Sequence, residues 1–431
     1  MSFNKVHSGF KVFILFLTAL TISSCAERER YADDEITELR FWHGIESPEN
    51  NLLLEEKIKT FEERNPHINI ILENIGAQDS AMPSIMTALS ADRQPELLWF
   101  APVYTGRMAE SGKLYPAEKF IENDTEFNPE DIYEGILESG RYDGRIYTVP
   151  FETNCLAFYY NKEHFSEAGI ERYPQSWKEL RQTARKLTRH FREKGEDSFG
   201  MLIPLGTQEW TVWTWQNFLW QAGGEFLSDN MKEPGFNGRP GVEALKFWKK
   251  LVYEDESAVF SERNAGYKIE PFIAGKVSMM INGPWNYPEL KEQDEINYGS
   301  FPLPENEKKA TNIGGENLFI FRSTPEKEEA SWEFAKFIMS EEFQAEWAMN
   351  TGYLPVNRKA AESEKYRRFL EENPFIKTFV YSMEFGKSRP PVKEYSRISE
   401  RLGRALENAL YRRKTPEEAL NQAAEDSEDL L

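Results

Sequence analysis

Tryptophan is the residue type whose spacing points most directly to chemistry in this chain. Trp210, Trp213, Trp215 and Trp220 fall within one short segment, and Trp285 follows an apolar run that ends Asn282-Gly283-Pro284. Indole offers a broad, flat apolar plane at little entropic cost, and one N–H donor. A sugar ring has the complementary surface, with C–H groups on its faces and hydroxyls around its rim. Carboxylates or amides beside such a plane can bind the hydroxyls, and Gln208-Glu209 directly precedes Trp210. Core packing is the competing reading. It is preferred for Trp220, seven residues from Trp213 on one helical face, and it stays open for Trp210 and Trp213.

Enzymatic and metal-binding signatures are missing from the sequence. It has no Gly-x-Ser-x-Gly elbow, P-loop, His-Glu-x-x-His or Gly-x-Gly-x-x-Gly. Its five histidines (His7, His43, His67, His164, His190) have no ligand spacing, so neither a metal nor a cofactor is expected. Asp124-x-Glu126-x-Asn128 lacks the glycine and distal glutamate of a calcium loop, and reads as a solvated loop ending in a helix cap. The 72 acidic residues leave paired carboxylates for glycoside hydrolysis open.

The elements that must position these residues follow from periodicity. Leu39 to Trp42, Ile68 to Leu72 and Glu96 to Phe100 read as strands. Helices lie between them, one starting at Ser47-Pro48 with Leu54, Ile58 and Phe61 inward, the next marked by Met82, Ile85 and Leu89. This β-α-β-α-β order implies a parallel sheet with helices on both faces. Asn128-Pro129 is expected to cap a helix through Ile132, Ile136 and Leu137. Ile146 to Val149 is a strand ended by Pro150, and Leu156, Phe158 and Tyr160 share one side of another. Ser176-Trp-Lys-Glu179 and Thr415-Pro-Glu-Glu418 have the capping-box pattern. Strands are predicted at Phe199 to Ile203, Val277 to Ile281, Asn297 to Phe301 and Leu318 to Phe321. Helices are predicted after Thr324-Pro325 and over Ile398 to Leu410.

A length of 431 residues predicts two or three domains. The first 24 residues carry Lys5 and Lys11, no acid, and an apolar run from Val12 to Ile22, as a signal peptide does. The run ends Ile22-Ser-Ser-Cys25, close to a lipoprotein processing site, which makes Cys25 a lipid anchor and residues 25–34 a tether. Ordinary secretion with an incidental Cys25 is the alternative. Losing the leader leaves 50 basic against 72 acidic residues, a charge of −22 that disfavours nucleic acid and anionic lipid as partners. Cys155 would then be the remaining thiol, packed as a small apolar group, with no intramolecular disulfide.

Several segments also resemble a known family. They are Gly144-Arg-Ile-Tyr-Thr-Val-Pro150, the run Tyr159-Tyr-Asn-Lys-Glu to Ala168-Gly-Ile170, and Pro174-Gln-Ser-Trp-Lys-Glu-Leu180. Phe272 to Trp285, Gly314-Gly315, Ala330 to Ile338, Ser340 to Gln344 and Gly352-Tyr-Leu-Pro-Val356 continue the pattern in the same order. Together they resemble the extracellular solute-binding proteins of ABC importers, in the maltose/maltodextrin-like branch (family 1). The resemblance implies an α/β, two-lobed periplasmic-binding-protein (type II) fold, in which two mixed or parallel sheets flanked by helices hinge about a central cleft. It implies lobes of residues 35–153 with 317–362 and of 154–316 with 363–431, crossed near 152, 315 and 363. It also implies a non-enzymatic receptor, most simply a monomer, held to the cell envelope by its lipid alone. Such a receptor carries a carbohydrate to ABC permease subunits, from the periplasm or from the outer face of the cytoplasmic membrane.

Candidate ligand contacts follow from that architecture. Trp285 stands where the family stacks an indole on its ligand, and Glu209, Trp210 and Trp213 resemble the acid followed by aromatics of maltodextrin binders. Glu152 and Asn154 sit at the first crossing, and Gly315 and Glu316 at the second. Trp42 and Glu46, with His43 between, follow the first strand, Tyr104 follows the third, and Tyr395 precedes the long C-terminal helix. Maltodextrin binders carry an Asp-Arg pair where this chain has Val103-Tyr104, which argues against maltose itself. Two rivals remain: a receptor for a charged solute (polyamine or phosphate ester), and a surface sugar-cleaving enzyme.

Overall fold

A computed structural model describes residues 36–76, 78–293 and 295–431. The predicted leader and the Cys25 tether lie outside the described residues. The longer elements of the first half are β1 (Thr37–His43), α1 (Pro48–Arg64), β2 (Ile68–Asn74), α2 (Gln78–Ser90), β3 (Leu97–Phe100), β4 (Thr148–Pro150), β5 (Asn154–Cys155), β6 (Ala157–Asn161) and α3 (Trp177–Glu193). They continue with β7 (Met201–Leu205), α4 (Glu209–Gln221), α5 (Arg239–Tyr253), β8 (Ala258–Arg263), β9 (Met279–Asn282), β10 (Tyr298–Pro302), β11 (Thr311–Gly314) and β12 (Asn317–Ile320). The last third is helical: α6 (Pro325–Met339), α7 (Glu341–Thr351), α8 (Tyr395–Leu410) and α9 (Pro416–Glu428).

β1, β2 and β3 pair in parallel, as the β-α-β-α-β reading predicts. β12 and β4 extend this sheet in antiparallel sense, giving the order β2-β1-β3-β12-β4. A second group has β6 at the centre, with β9 and β10 antiparallel on either side. β7 and β8 pair in parallel beside it, and Phe199 bridges to Val277. Each sheet buries both faces. Leu97 and Trp99 enter one core while Leu98 and Phe100 enter another, and Phe158 and Tyr159 are divided in the same way.

Between the two sheets, β5 pairs antiparallel with β11 through Cys155↔Ile313 and Asn154↔Gly314, and Thr153 bridges to Leu354. The chain passes from sheet to sheet at residues 151–156, at 315–316, and between Val356 and Phe375. Cys155 is fully buried and its thiol faces the Phe379 carbonyl at 3.4 Å.

Local expectations fail where tertiary contacts outweigh propensity. Asn128-Pro129 starts only a 3-10 turn, Pro129–Asp131, followed by the short helix Glu134–Leu137. Ile132 is drawn out of helical geometry by its bridge to Asn357, next to Tyr133 N–H donating to the Val356 carbonyl. Asp124 is no solvated loop residue, since its carboxylate accepts from Trp332 Nε1 at 2.8 Å and pairs with Lys336 at 2.9 Å. Two strands start later than predicted because Phe199 and Val277 form an isolated bridge, leaving Met201–Leu205 and Met279–Asn282 as the strands. Ser176 Oγ caps α3, but Glu179 bonds the amide of Gln175 instead of closing a box. At Thr415 the box is complete.

Candidate functional site

The site is built from the ends of elements that meet where the two sheets face each other. α4 begins at Glu209, so Trp210 and Trp213 stand three residues apart on its first turn. β9 ends at Asn282, and Pro284–Asn286 forms a 3-10 turn that swings Trp285 back over the strand. A side chain at position 283 would begin 1.9 Å from the Trp285 ring, so glycine there lets the indole lie flat. Trp285 stacks on Trp213, with centroids 6.0 Å apart and planes at 21°, and meets Trp210 edge-on at 6.1 Å. Tyr267 closes the group at 5.6 Å from Trp285, and Tyr353 approaches it at 6.3 Å. Trp285 packs against the cores of both sheets.

Polar atoms are set into this apolar surface. The indole N–H groups of Trp213 and Trp285 and Oδ1 of Asn154 are buried with no protein partner. These unpaired groups stand beside the stacked indoles, where the hydroxyls of a polar guest would find donors and an acceptor. Next to it is a cleft of about 170 Å³, lined by residues that include Val103, Glu152, Thr153, Gly314 and Arg389. Segments far apart in the chain are also joined directly: the Tyr267 hydroxyl donates to Glu46, and Lys393 pairs with Glu110 at 2.7 Å.

Glu209 does not point a free carboxylate at the cleft. It accepts from Arg389 at 3.0 Å, from the Tyr395 hydroxyl at 2.8 Å, and from Ser399. Arg389 lies 5.5 Å above the Trp213 ring, a cation–π contact. Burial, the largest influence, would lower the Arg389 guanidinium, but Glu209, Tyr395 and Tyr104 together outweigh it and hold it above its usual value. Burial, then Glu209, also pushes the Tyr395 phenol well up.

Across the cleft, Glu152 is 2% exposed and accepts from the indoles of Trp99, at 3.2 Å, and Trp347. Glu316 stands close enough for its charge to act on Glu152. Burial first, then the charge of Glu316, pushes Glu152 well above the ordinary carboxylate range. Gly315, between the crossing strands, has φ +115°, and a side chain there would begin 2.3 Å from the Glu152 carbonyl oxygen. Only glycine permits that approach.

Residues 56–373 match the family described as bacterial extracellular solute-binding protein. The chain belongs to this family. Among relatives of this solute-binding protein is the sn-glycerol-3-phosphate-binding periplasmic protein of Escherichia coli (strain K12), 26% identical over 92% of this chain and 93% of its own. The maltotriose-binding protein of Pyrococcus abyssi is 25% identical over 73% of this chain and 65% of its own. A solved solute-binding protein of an ABC transporter from Thermotoga lettingae, bound with alpha-D-tagatose, is 27% identical. It covers 91% of this chain and 99% of its own, with a TM-score of 0.79. The two-sheet architecture is thus the periplasmic-binding-protein fold. Among the described residues, no helix is long and apolar enough to cross a membrane.

Within the solute-binding protein the other predicted residues are dispersed. Trp42 stands apart from the aromatic group and donates its indole N–H to Glu73 at 2.8 Å. His43 is buried, and burial lowers its imidazole to about 4, so it is neutral at pH 7. Glu46 meets the group through Tyr267. Tyr104 packs on Phe100 at 4.9 Å, near enough to Arg389 and Tyr395 to act on their charges. Trp220 is buried, as its spacing predicts. Arg389, Tyr267, Tyr353, Trp99 and Trp347 went unpredicted as site residues. Only Arg389, in Ser388-Arg-Pro-Pro391, carried a local signal: a cation on a proline-stiffened loop outside any predicted element.

Proposed function

We propose that this solute-binding protein is the carbohydrate receptor of an ABC importer, taking a sugar or oligosaccharide between its lobes and passing it unchanged to the permease. The observation that carries the reading is the Trp210–Trp213–Trp285 surface, which offers flat apolar faces together with the unpaired N–H groups of Trp213 and Trp285. A pyranose presents matching C–H faces and hydroxyls. The sugar-binding names and ligands of the maltotriose-binding and tagatose-bound proteins support it. Glu152, Asn154, Gly315, Glu316, Tyr104 and Tyr395 then border or brace the ligand, Glu209 braces through Arg389, and Glu46 closes over it through Tyr267.

The proposed lobes are residues 35–153 with 317–362 and residues 154–316 with 363–431. The protein is proposed to act as a monomer tethered through Cys25 at the cell envelope. Ligand touching both lobes favours the closed form by its differential affinity, and the permease recognises that form. A phosphate ester needs an available cation, and the glycerol-phosphate-binding relative makes this the nearest rival; the buried cation lining the cleft, Arg389, is already engaged by Glu209. Sugar cleavage needs two carboxylates facing each other across the substrate, whereas Glu152 is buried and engaged by the indoles of Trp99 and Trp347.

A thermal-shift screen of the purified protein against neutral mono- and oligosaccharides, glycerol 3-phosphate and spermidine tests the proposal. A neutral sugar recovered intact should raise the unfolding temperature, and Trp285→Ala should abolish that shift. Stabilisation by glycerol 3-phosphate or spermidine alone, or release of hydrolysed product, would overturn it.

A further inference from the structure

A second cavity, of about 390 Å³, opens between the first turn of α3 and one face of α5, and it shares no lining residue with the cleft. Five of its lining side chains are cations (Lys178, Arg181, Arg239, Lys246 and Lys250), against one acid, Glu243. That balance opposes the chain as a whole, which carries 52 basic and 72 acidic residues. Beneath the cations lies an aromatic floor. Trp177 and Phe247 stack with centroids 4.5 Å apart and planes at 28°, and the Trp177 indole is fixed by donating to Gln221 at 2.8 Å. The floor is therefore set before any ligand arrives.

Two of the five cations are already engaged. Arg181 is held by Asp255, with Nη2 donating to Oδ1 at 2.9 Å, and Lys246 pairs with Glu417. The Glu243 carboxylate accepts from Asn306 at 3.1 Å. Lys178, Arg239 and Lys250 have no side-chain hydrogen bond or ion pair among the described residues. Lys250 is half-buried nonetheless. Withdrawing an ammonium from water without a counter-charge is unfavourable, so the groove is electrostatically incomplete as it stands. The amino end of α5 adds to this. Its cap residue, Gly238, supplies no side-chain acceptor, and the open end of a helix carries partial positive charge.

We propose that this groove binds a small, soluble, phosphate-bearing anion, at a site separate from the cleft and independent of the solute bound there. A phosphate group brings close to two negative charges and three strong acceptor oxygens, which suits three unengaged cations. The cavity has the size of a small-molecule site, and its aromatic floor can take the organic part of the ligand. The net charge of −20 keeps a bilayer of anionic lipid away from the surface, whereas a small anion can enter the local basic field.

Calorimetric titration of inorganic pyrophosphate into the purified protein tests the proposal. Binding should saturate at a single site per chain and weaken as salt is raised. Lys178→Gln/Arg239→Gln/Lys250→Gln should bind about tenfold more weakly or worse, while melting with the wild type, since these side chains make no contact that holds the fold. Lys59→Gln/Lys232→Gln/Lys377→Gln makes the same change in charge at exposed positions that do not line the groove, and should bind as the wild type does. Absence of saturable binding, undiminished binding by the groove variant, or equal weakening in both triple variants would each overturn the proposal. Co-sedimentation with phosphatidylglycerol vesicles in place of pyrophosphate binding would overturn it as well.

Discussion

Glu209 and Glu152 both stand beside the cleft and are largely withdrawn from water, yet one faces a guanidinium and the other faces a second carboxyl. On the Glu209 side the charge is met by Arg389, with Tyr395 and Ser399 filling the remaining acceptor positions. On the Glu152 side two indole donors fill acceptor positions, and Glu316 adds a further acid nearby. A cleft bordered by a carboxylate already paired with its guanidinium has little free charge to offer a ligand there, in keeping with a neutral guest.

Removing the cation gives the largest expected effect. Arg389→Met leaves Glu209 buried without a counter-charge, and urea unfolding should report a loss of about 3–5 kcal/mol. Glu152→Gln should cost less, about 1–3 kcal/mol by the same measurement, because it leaves an indole N–H without an acceptor rather than a bare charge. The comparison sharpens with pH. Arg389, held above its usual value, stabilises the fold at every pH below the arginine range, so its contribution should be flat from about pH 6 to about pH 9. Glu152 has a folded value above the ordinary 4.5, so its contribution should decline as pH rises from 4.5 toward the folded value, read as a falling melting temperature. The smallest change is expected from Tyr267→Phe, which removes the hydroxyl bond to Glu46. Stability should fall by no more than about 1 kcal/mol, with a faster ligand off-rate in stopped-flow fluorescence.

Much of the framework was legible in the sequence. The three parallel strands, the Ser47 and Thr415 caps and the burial of Trp220 follow from local periodicity and capping chemistry. The helix expected after Asn128-Pro129 did not, because the bridge from Ile132 to Asn357 joins positions more than two hundred residues apart. Site residues divide in the same way. Trp210, Trp213 and Trp285 are conspicuous by type and come together, while Trp42, equally conspicuous, turns to Glu73 on the neighbouring strand.

By itself the sequence determined most of the long strands and helices, the caps at Ser47 and Thr415, and that aromatic planes outnumber recognisable catalytic groups. These are consequences of side-chain periodicity and of the short reach of capping hydrogen bonds. Only the tertiary structure decided that Glu209 would be engaged by Arg389, 180 residues away, and that Glu152 would be buried between the indoles of Trp99 and Trp347. The state of a carboxyl depends on burial and on the nearest charge, and neither exists until distant segments have packed together.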